Sequence, residues 1–214
     1  MQLLKKRDDF TRRGLMGMDK KSVRSAALAQ LRKRALWGRA GRNAKVRRHL
    51  ESLIKRLAPK SVLAYVPLGF EADIRPLFPA WRRRCNLYVP FMGDISFTMV
   101  RYRLPLTRQR LGILAPCASG QEIKKVDVMI VPAVAIDAAF KRIGFGKGMY
   151  DRFYPTLQNK PIVIFVQPFP LLTDRTVSDE WDLRGDFLVS DQGIIQSRGT
   201  LHDNRNNRHR SCHR

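Results

Sequence analysis

The chain has 214 residues, 44% of them hydrophobic, with 14 Gly and 12 Pro. That composition suits a folded domain with a sizeable core and excludes disordered and collagen-like classes. Lys and Arg number 41 against 18 Asp and Glu, a formal net charge of +23, which favours anionic partners: nucleic acid, an acidic membrane surface or a phosphate-bearing substrate.

No apolar run approaches the roughly 20 residues that a membrane-spanning helix needs, so no membrane partner is expected. The cysteines Cys85, Cys117 and Cys212 form no CxxC pair, which argues against a disulfide framework or thiolate zinc site and for a reducing compartment, the cytoplasm. The histidines give no HExxH spacing, and His209, Cys212 and His213 read as residues of a polar tail.

Residues 1–19 carry scattered charge, two glycines and no apolar stretch of the kind a secretory signal needs. They read as a flexible N-terminal extension, within which Met16 and Met18 offer alternative starts. From Asp19, a good N-cap, the series Val23, Ala27, Leu31, Ala35 predicts a helix. Lys20 and Arg24 fall on its inward face, where they either snorkel to solvent or aim at an anionic ligand.

A second helix is predicted over 43–57, with Val46, Leu50, Leu53, Ile54 and Leu57 on one face, ending at Ala58-Pro59. A strand over 61–67, a helix over 75–84 with Leu77, Phe78 and Trp81 inward, a strand over 87–90 and an antiparallel segment over 96–103 follow. The nearly continuous apolar run at 126–134 reads as a strand buried on both faces, as do 162–167 and 187–190.

Helices alternating with such strands predict an α/β fold: a single domain over 20–197 with a mainly parallel mixed sheet flanked by helices. A basic disordered tail is expected over 198–214. Nucleic acid is expected to bind only through the basic ends.

The most informative stretch runs from Asp137 to Asp151, DAAFKRIGFGKGMYD. Gly144, Gly146 and Gly148 allow close backbone approach to a ligand, and Arg142 and Lys147 supply charge that complements phosphate. Chain that looks helical follows, so a helix N-terminus could face the same anion. The string is neither a Walker A loop, since Met149 follows Lys147-Gly148, nor a Rossmann fingerprint. Two cations beside a carboxylate suit a nucleoside triphosphate with its Mg²⁺, and a plain tight turn is the alternative.

The string RIGFGKGMYDRF resembles the R-[LI]-G-x-G-[GK]-G-x-Y-D-R motif of the 5-formyltetrahydrofolate cyclo-ligase family, also called 5,10-methenyltetrahydrofolate synthetase. Other segments agree in order. Lys20-Lys-Ser-Val-Arg24 is similar to the family's N-terminal helix, and Glu71-Ala-Asp73 to its E-x-[DE] strand end. Val131-Pro-Ala-Val-Ala-Ile-Asp137 is similar to its V-P-G-[VL]-A-F-D strand, and Trp181-Asp182 to its closing segment. The likeness covers about residues 20–195. The chain departs at Phe140 (usually Gly), Met149 (a first Tyr), Ile74 (Thr) and Ala115 (Glu).

The resemblance implies cyclisation of 5-formyltetrahydrofolate to 5,10-methenyltetrahydrofolate with ATP as co-substrate and Mg²⁺ as cofactor, by a monomer. It implies that Arg142 and Lys147 act on the transferred phosphoryl group. Lys20, Arg24, Gly144, Gly146, Lys147, Gly148 and Tyr150 would bind ATP, Glu71 the folate, and Asp151 and Asp182 the metal. A degraded family member, or a basic nucleic-acid-binding module, is the rival reading.

Overall fold

The structure is a computed structural model that describes residues 15, 17–35, 38–108, 114–116 and 123–197. The tail expected over 198–214 and most of the N-terminal extension lie outside the described residues, as do Cys117, Cys212, His209 and His213. In chain order the helices are α1 (Lys20–Ala35), α2 (Arg39–Leu57), α3 (Phe78–Arg84) and α4 (Met149–Phe153). The strands are β1 (Ser61–Leu63), β2 (Asn86–Met92), β3 (Phe97–Arg101), β4 (Thr107–Arg108), β5 (Leu114–Ala115), β6 (Val128–Pro132), β7 (Ala135–Ile136), β8 (Arg142–Ile143), β9 (Ile162–Val166), β10 (Phe187–Ser190) and β11 (Gly193–Gln196).

Seven strands form one sheet in the order β11–β10–β9–β6–β1–β2–β3. The five inner strands are parallel, and β3 and β11 close the edges antiparallel. The expected α/β fold with a mainly parallel mixed sheet is therefore present. Side-chain alternation along the strands builds two cores. Val62, Val128, Ile130, Ile164 and Val166 meet Leu50, Leu53 and Ile54 of α2 and Phe78 and Trp81 of α3. Leu63, Met129, Val131, Val163 and Phe165 face Phe153 of α4 on the other side.

Helix α1 packs elsewhere. Its buried Val23, Ala27 and Leu31 meet Val134, Ala135 and Ile143 of the β7–β8 hairpin, which rises from the carboxyl end of β6. The Asp19 carboxylate accepts a hydrogen bond from the Ser22 amide at 2.9 Å, as expected of the N-cap. This packing brings the first turn of α1 to the carboxyl ends of the parallel strands, where open α/β sheets hold their ligands. Leu15 is fully buried in the same cluster and its carbonyl accepts a hydrogen bond from Thr173, so the expected flexible extension is already part of the core at that residue.

Three elements differ from the sequence reading. Helix α2 starts at Arg39, four residues before the expected Asn43, directly after Gly38 at φ 62; Asn43 lies within the helix, buried, and accepts a hydrogen bond from the Asp73 amide. The strand expected over 61–67 ends at Leu63. Beyond it, the Tyr65 hydroxyl donates to the Ala72 carbonyl and the Glu71 carboxylate accepts from the Leu68 amide, folding 64–72 into a loop that the amide-less Pro67 favours. The helix after the glycine loop spans only five residues, too short for much of a macrodipole.

Candidate active site

The loop between β8 and α4 is shaped by its glycines. A Cβ on Gly144 would lie 2.6 Å from Arg142 Nη1, so only glycine lets the backbone pass the guanidinium there. Gly146 has φ +93, in the region that favours glycine. From α1, Arg24 Nε donates to the Gly144 carbonyl at 2.9 Å and ties this loop to the helix.

Arg142 is 5% exposed. Its Nη2 donates to Asp151 Oδ2 at 2.7 Å, its guanidinium lies 5.2 Å from the centre of the Tyr150 ring, and its buried Nε has no hydrogen-bond partner. Asp151 Oδ1 accepts from the Leu183 amide at 3.0 Å, so both carboxylate oxygens are engaged. Lys20 Nζ lies 2.5 Å from both Asp179 Oδ2 and Asp182 Oδ2. Burial works against its ammonium form, yet the two carboxylates prevail and the Lys20 pKa is raised.

Two clefts open here. A polar one of about 320 Å³ is lined by Lys20, Arg24, Arg142, Gly144, Gly146, Gly148, Asp151, Arg152, Trp181 and Asp182. The second, of about 280 Å³, is mostly apolar: Tyr65, Val66, Pro90, Met92, Phe97, Phe145 and Met149 are among its walls, with Glu71, Lys147 and Tyr150 as its polar groups. Arg142 and Gly148 belong to both linings. Glu71 is almost fully buried, and burial pushes its pKa up to about 7 against the opposing Leu68 hydrogen bond. Burial likewise raises the Tyr150 phenol.

All eleven site residues named from the sequence thus line one or both clefts, but in two groups. Lys20, Arg24, Gly144, Gly146, Asp151 and Asp182 gather in the polar cleft, while Glu71, Lys147 and Tyr150 line the apolar one. As a test of metal fit, Asp151 and Asp182 share the polar cleft, but Arg142 and Lys20 already engage them. No cluster of three acidic, His or Cys ligands occurs among the described residues. That donor set fits a Mg²⁺ that arrives on substrate phosphates and not a cage built by the protein alone.

Sequence reasoning missed the residues that hold this wall together. Asp137 is buried, and its carboxylate accepts hydrogen bonds from the amides of Ala139, Lys141, Val177 and Ser178 and from the Ser178 hydroxyl. Lys141 Nζ donates to the carbonyls of Asp179 and Glu180. Together they fasten the segment carrying Asp179 and Asp182 to the hairpin carrying Arg142. An Asp followed by a turn was the available signal for the local half of this clamp. Nothing in the sequence announced its long-range half. Phe70 and Phe145 also pair, with ring centroids 5.2 Å apart, and Trp181 stands 74% exposed on the rim of the polar cleft.

The model of the 5-formyltetrahydrofolate cyclo-ligase family matches residues 16–175, about three quarters of the chain. The chain belongs to that family. The matched span contains the glycine loop, Glu71 and Asp151, and it ends before Asp179 and Asp182. Among curated family members, the 5-formyltetrahydrofolate cyclo-ligase of Haemophilus influenzae is 27% identical over 127 residues, 55% of this chain and 68% of its own. That of Escherichia coli K12 is 29% identical over 136 residues, 58% and 73%. The NMR structure of the Aquifex aeolicus 5,10-methenyltetrahydrofolate synthetase superposes with a TM-score of 0.70 at 28% identity, covering 90% of this chain and 100% of that one. The Mycoplasma pneumoniae synthetase, at 19% identity and a TM-score of 0.62 over 81% and 99% of the two chains, shares the fold.

The four departures from the family's motifs have clear places. Phe140 adopts φ 59, a conformation natural to the usual glycine, and its ring lies 6.4 Å from that of Phe165. Met149 lines the apolar cleft. Ile74 and Ala115 are fully buried apolar residues.

Proposed function

We propose that this chain is a 5-formyltetrahydrofolate cyclo-ligase that converts 5-formyltetrahydrofolate and ATP to 5,10-methenyltetrahydrofolate, ADP and phosphate, with Mg²⁺. The observation that carries the reading is the pair of unlike clefts that meet at Arg142 and Gly148. A polyanionic nucleotide tail suits the cationic cleft, and a flat folate ring suits the apolar one with its carboxyl group. Their shared wall is where the reacting atoms would meet.

In the first step the formyl oxygen attacks the γ-phosphorus and ADP leaves. Folate nitrogen-10 then attacks the activated formyl carbon, and the ring closes as phosphate departs with the nitrogen-10 proton. Arg142, fixed by Asp151, and Lys147 at the loop neutralise the transferring phosphoryl group. Lys20, Arg24 and the amides of Gly144, Gly146 and Gly148 hold the nucleotide phosphates, with Tyr150 beneath Arg142. Glu71 contacts the polar edge of the folate. Asp151 and Asp182 would hold Mg²⁺, which would supply positive charge to offset that of the nucleotide phosphates.

The reaction is checked by following the absorbance of the methenyl product with and without ATP and Mg²⁺. Product formed only when both are present is the expected result. Nucleotide and folate binding without product would instead fit the degraded-member reading, which Phe140 and Met149 motivate. The cytoplasm as location and a monomeric state belong to the same proposal, the latter checked by light scattering.

A further inference from the structure

A strongly cationic helical layer among the described residues lies outside both cleft linings. Helix α2 carries seven Lys or Arg and a single acid, Glu51, and α3 ends in Arg82-Arg83-Arg84. These two helices adjoin, since Glu51 accepts hydrogen bonds from Trp81 Nε1 and Arg84 Nη2, each at 2.7 Å. The last turn of α1 supplies Arg32, Lys33 and Arg34. It meets the start of α2 at Phe169, whose ring centre lies 4.7 Å from the Arg34 guanidinium and 5.7 Å from that of Arg42. The result is one track from α1 through α2 to α3.

Along it Arg32, Lys33, Arg39, Arg48, Arg56 and Arg83 are exposed and make no ion pair among the described residues. Crowded like charges of this kind oppose the compact state and are relieved by a polyanion. We propose that this layer is a docking surface for the phosphate backbone of duplex nucleic acid. At 1.5 Å per residue α2 is about 28 Å long, which parallels about eight base pairs at 3.4 Å each.

Other polyanionic surfaces fit less well. A helix that lies on a membrane needs an apolar face to insert, whereas Val46, Leu50, Leu53 and Ile54 of α2 are buried against the sheet. The large exposed hydrophobic residues, Met18, Ile95, Leu104, Phe145 and Trp181, lie outside α1, α2 and α3. Single strands are gripped by stacking on exposed aromatics, and both aromatics of these helices, Phe78 and Trp81, are buried. This proposal adds a folded surface to the basic ends, where nucleic acid was expected, and it does not depend on the cyclo-ligase reading.

The test measures binding of a 20-base-pair duplex by fluorescence anisotropy between 50 and 200 mM salt, using the full chain. It is compared with a full-chain variant carrying Lys45→Gln, Arg48→Gln, Arg56→Gln and Arg83→Gln. Each phosphate that the parent neutralises adds about 0.9 to the slope of log affinity against log salt, so the slope should become shallower by up to about 3.6 in the variant if each of the four cations contacts one phosphate. Affinity near 100 mM salt should fall at least tenfold. The variant should keep its cyclisation rate and unfold at no lower temperature, which separates a docking defect from misfolding. An unchanged slope and affinity in the folded variant would overturn the proposal. So would binding of anionic phosphatidylserine vesicles by a parent chain that does not bind the duplex.

Discussion

The two clefts hold their charge in opposite ways. In the polar cleft the cations are already spoken for: Lys20 bridges Asp179 and Asp182, and Arg142 is fixed by Asp151. On the proposed reading a nucleotide entering there would exchange internal ion pairs for new ones, so binding energy would go into rearranging charge. The apolar cleft has one buried carboxyl, Glu71, which makes no ion pair among the described residues, and that group answers to pH. The polar cleft is therefore governed by partner exchange, the apolar one by desolvation and protonation.

The largest expected effect falls on Lys147, a cation that lines the apolar cleft beside the shared wall at Arg142 and Gly148. Lys147 is exposed, and its replacement removes little packing. Lys147→Ala should lower kcat about 10²–10³-fold while leaving the unfolding midpoint unchanged, as measured by the methenyl absorbance and by thermal denaturation. An unaltered rate would remove Lys147 from the mechanism.

The second expectation concerns Glu71. A carboxyl whose folded pKa is about 7, above its ordinary value near 4.5, binds its proton more tightly in the folded state. Stability should therefore be highest below pH 4.5 as far as this group is concerned, and decline as the pH rises through 7, by on the order of 3 kcal/mol. Denaturant unfolding across that range should show the decline in the parent and lose it in Glu71→Gln.

A third outcome sharpens the division between the clefts. Lys20→Gln and Arg24→Gln should each weaken ATP binding about tenfold and leave folate binding as it was, by calorimetric titration of each ligand separately. Equal loss for both ligands would mean that the clefts are not specialised. For Lys20→Gln the loss should be the larger, since the freed Asp179 and Asp182 carboxylates would repel the phosphates.

The smallest effect concerns the turn leading into Arg142. Phe140→Gly and Phe140→Ala both remove the ring, and they differ chiefly in the backbone at φ 59. The glycine variant should be the more stable by about 1 kcal/mol in urea unfolding, the reverse of an ordinary site. An alanine variant as stable as the glycine one would show that the turn relaxes.

The sheet and most of the elements were legible because they rest on local rules. Burial on two faces wrote continuous apolar runs at β6, β9 and β10, and the cap and stripe of α1 follow from Asp19, Val23, Ala27 and Leu31. Lys20 and Arg24 could be read as inward-facing from helical periodicity. What escaped depends on residues distant in sequence. The Asp137 clamp joins the hairpin to 177–178, and the buried Asn43 accepts a hydrogen bond from the Asp73 amide. Asp179 became a partner of Lys20 across more than 150 residues. The split of the site into two clefts was equally hidden, because the motif that names Arg142, Lys147 and Tyr150 is continuous while the walls that divide them come from β2, β3 and the 64–72 loop.

Arg142 and Gly148 stand in both linings, so on the proposed reading the two substrates would not be independent guests. Whatever displacement of the guanidinium one ligand causes is presented to the other before it arrives. Linkage makes the exchange reciprocal: the factor by which bound folate changes nucleotide affinity must equal the factor by which bound nucleotide changes folate affinity. On that reading, a wall of two residues would couple a pair of neighbouring sites.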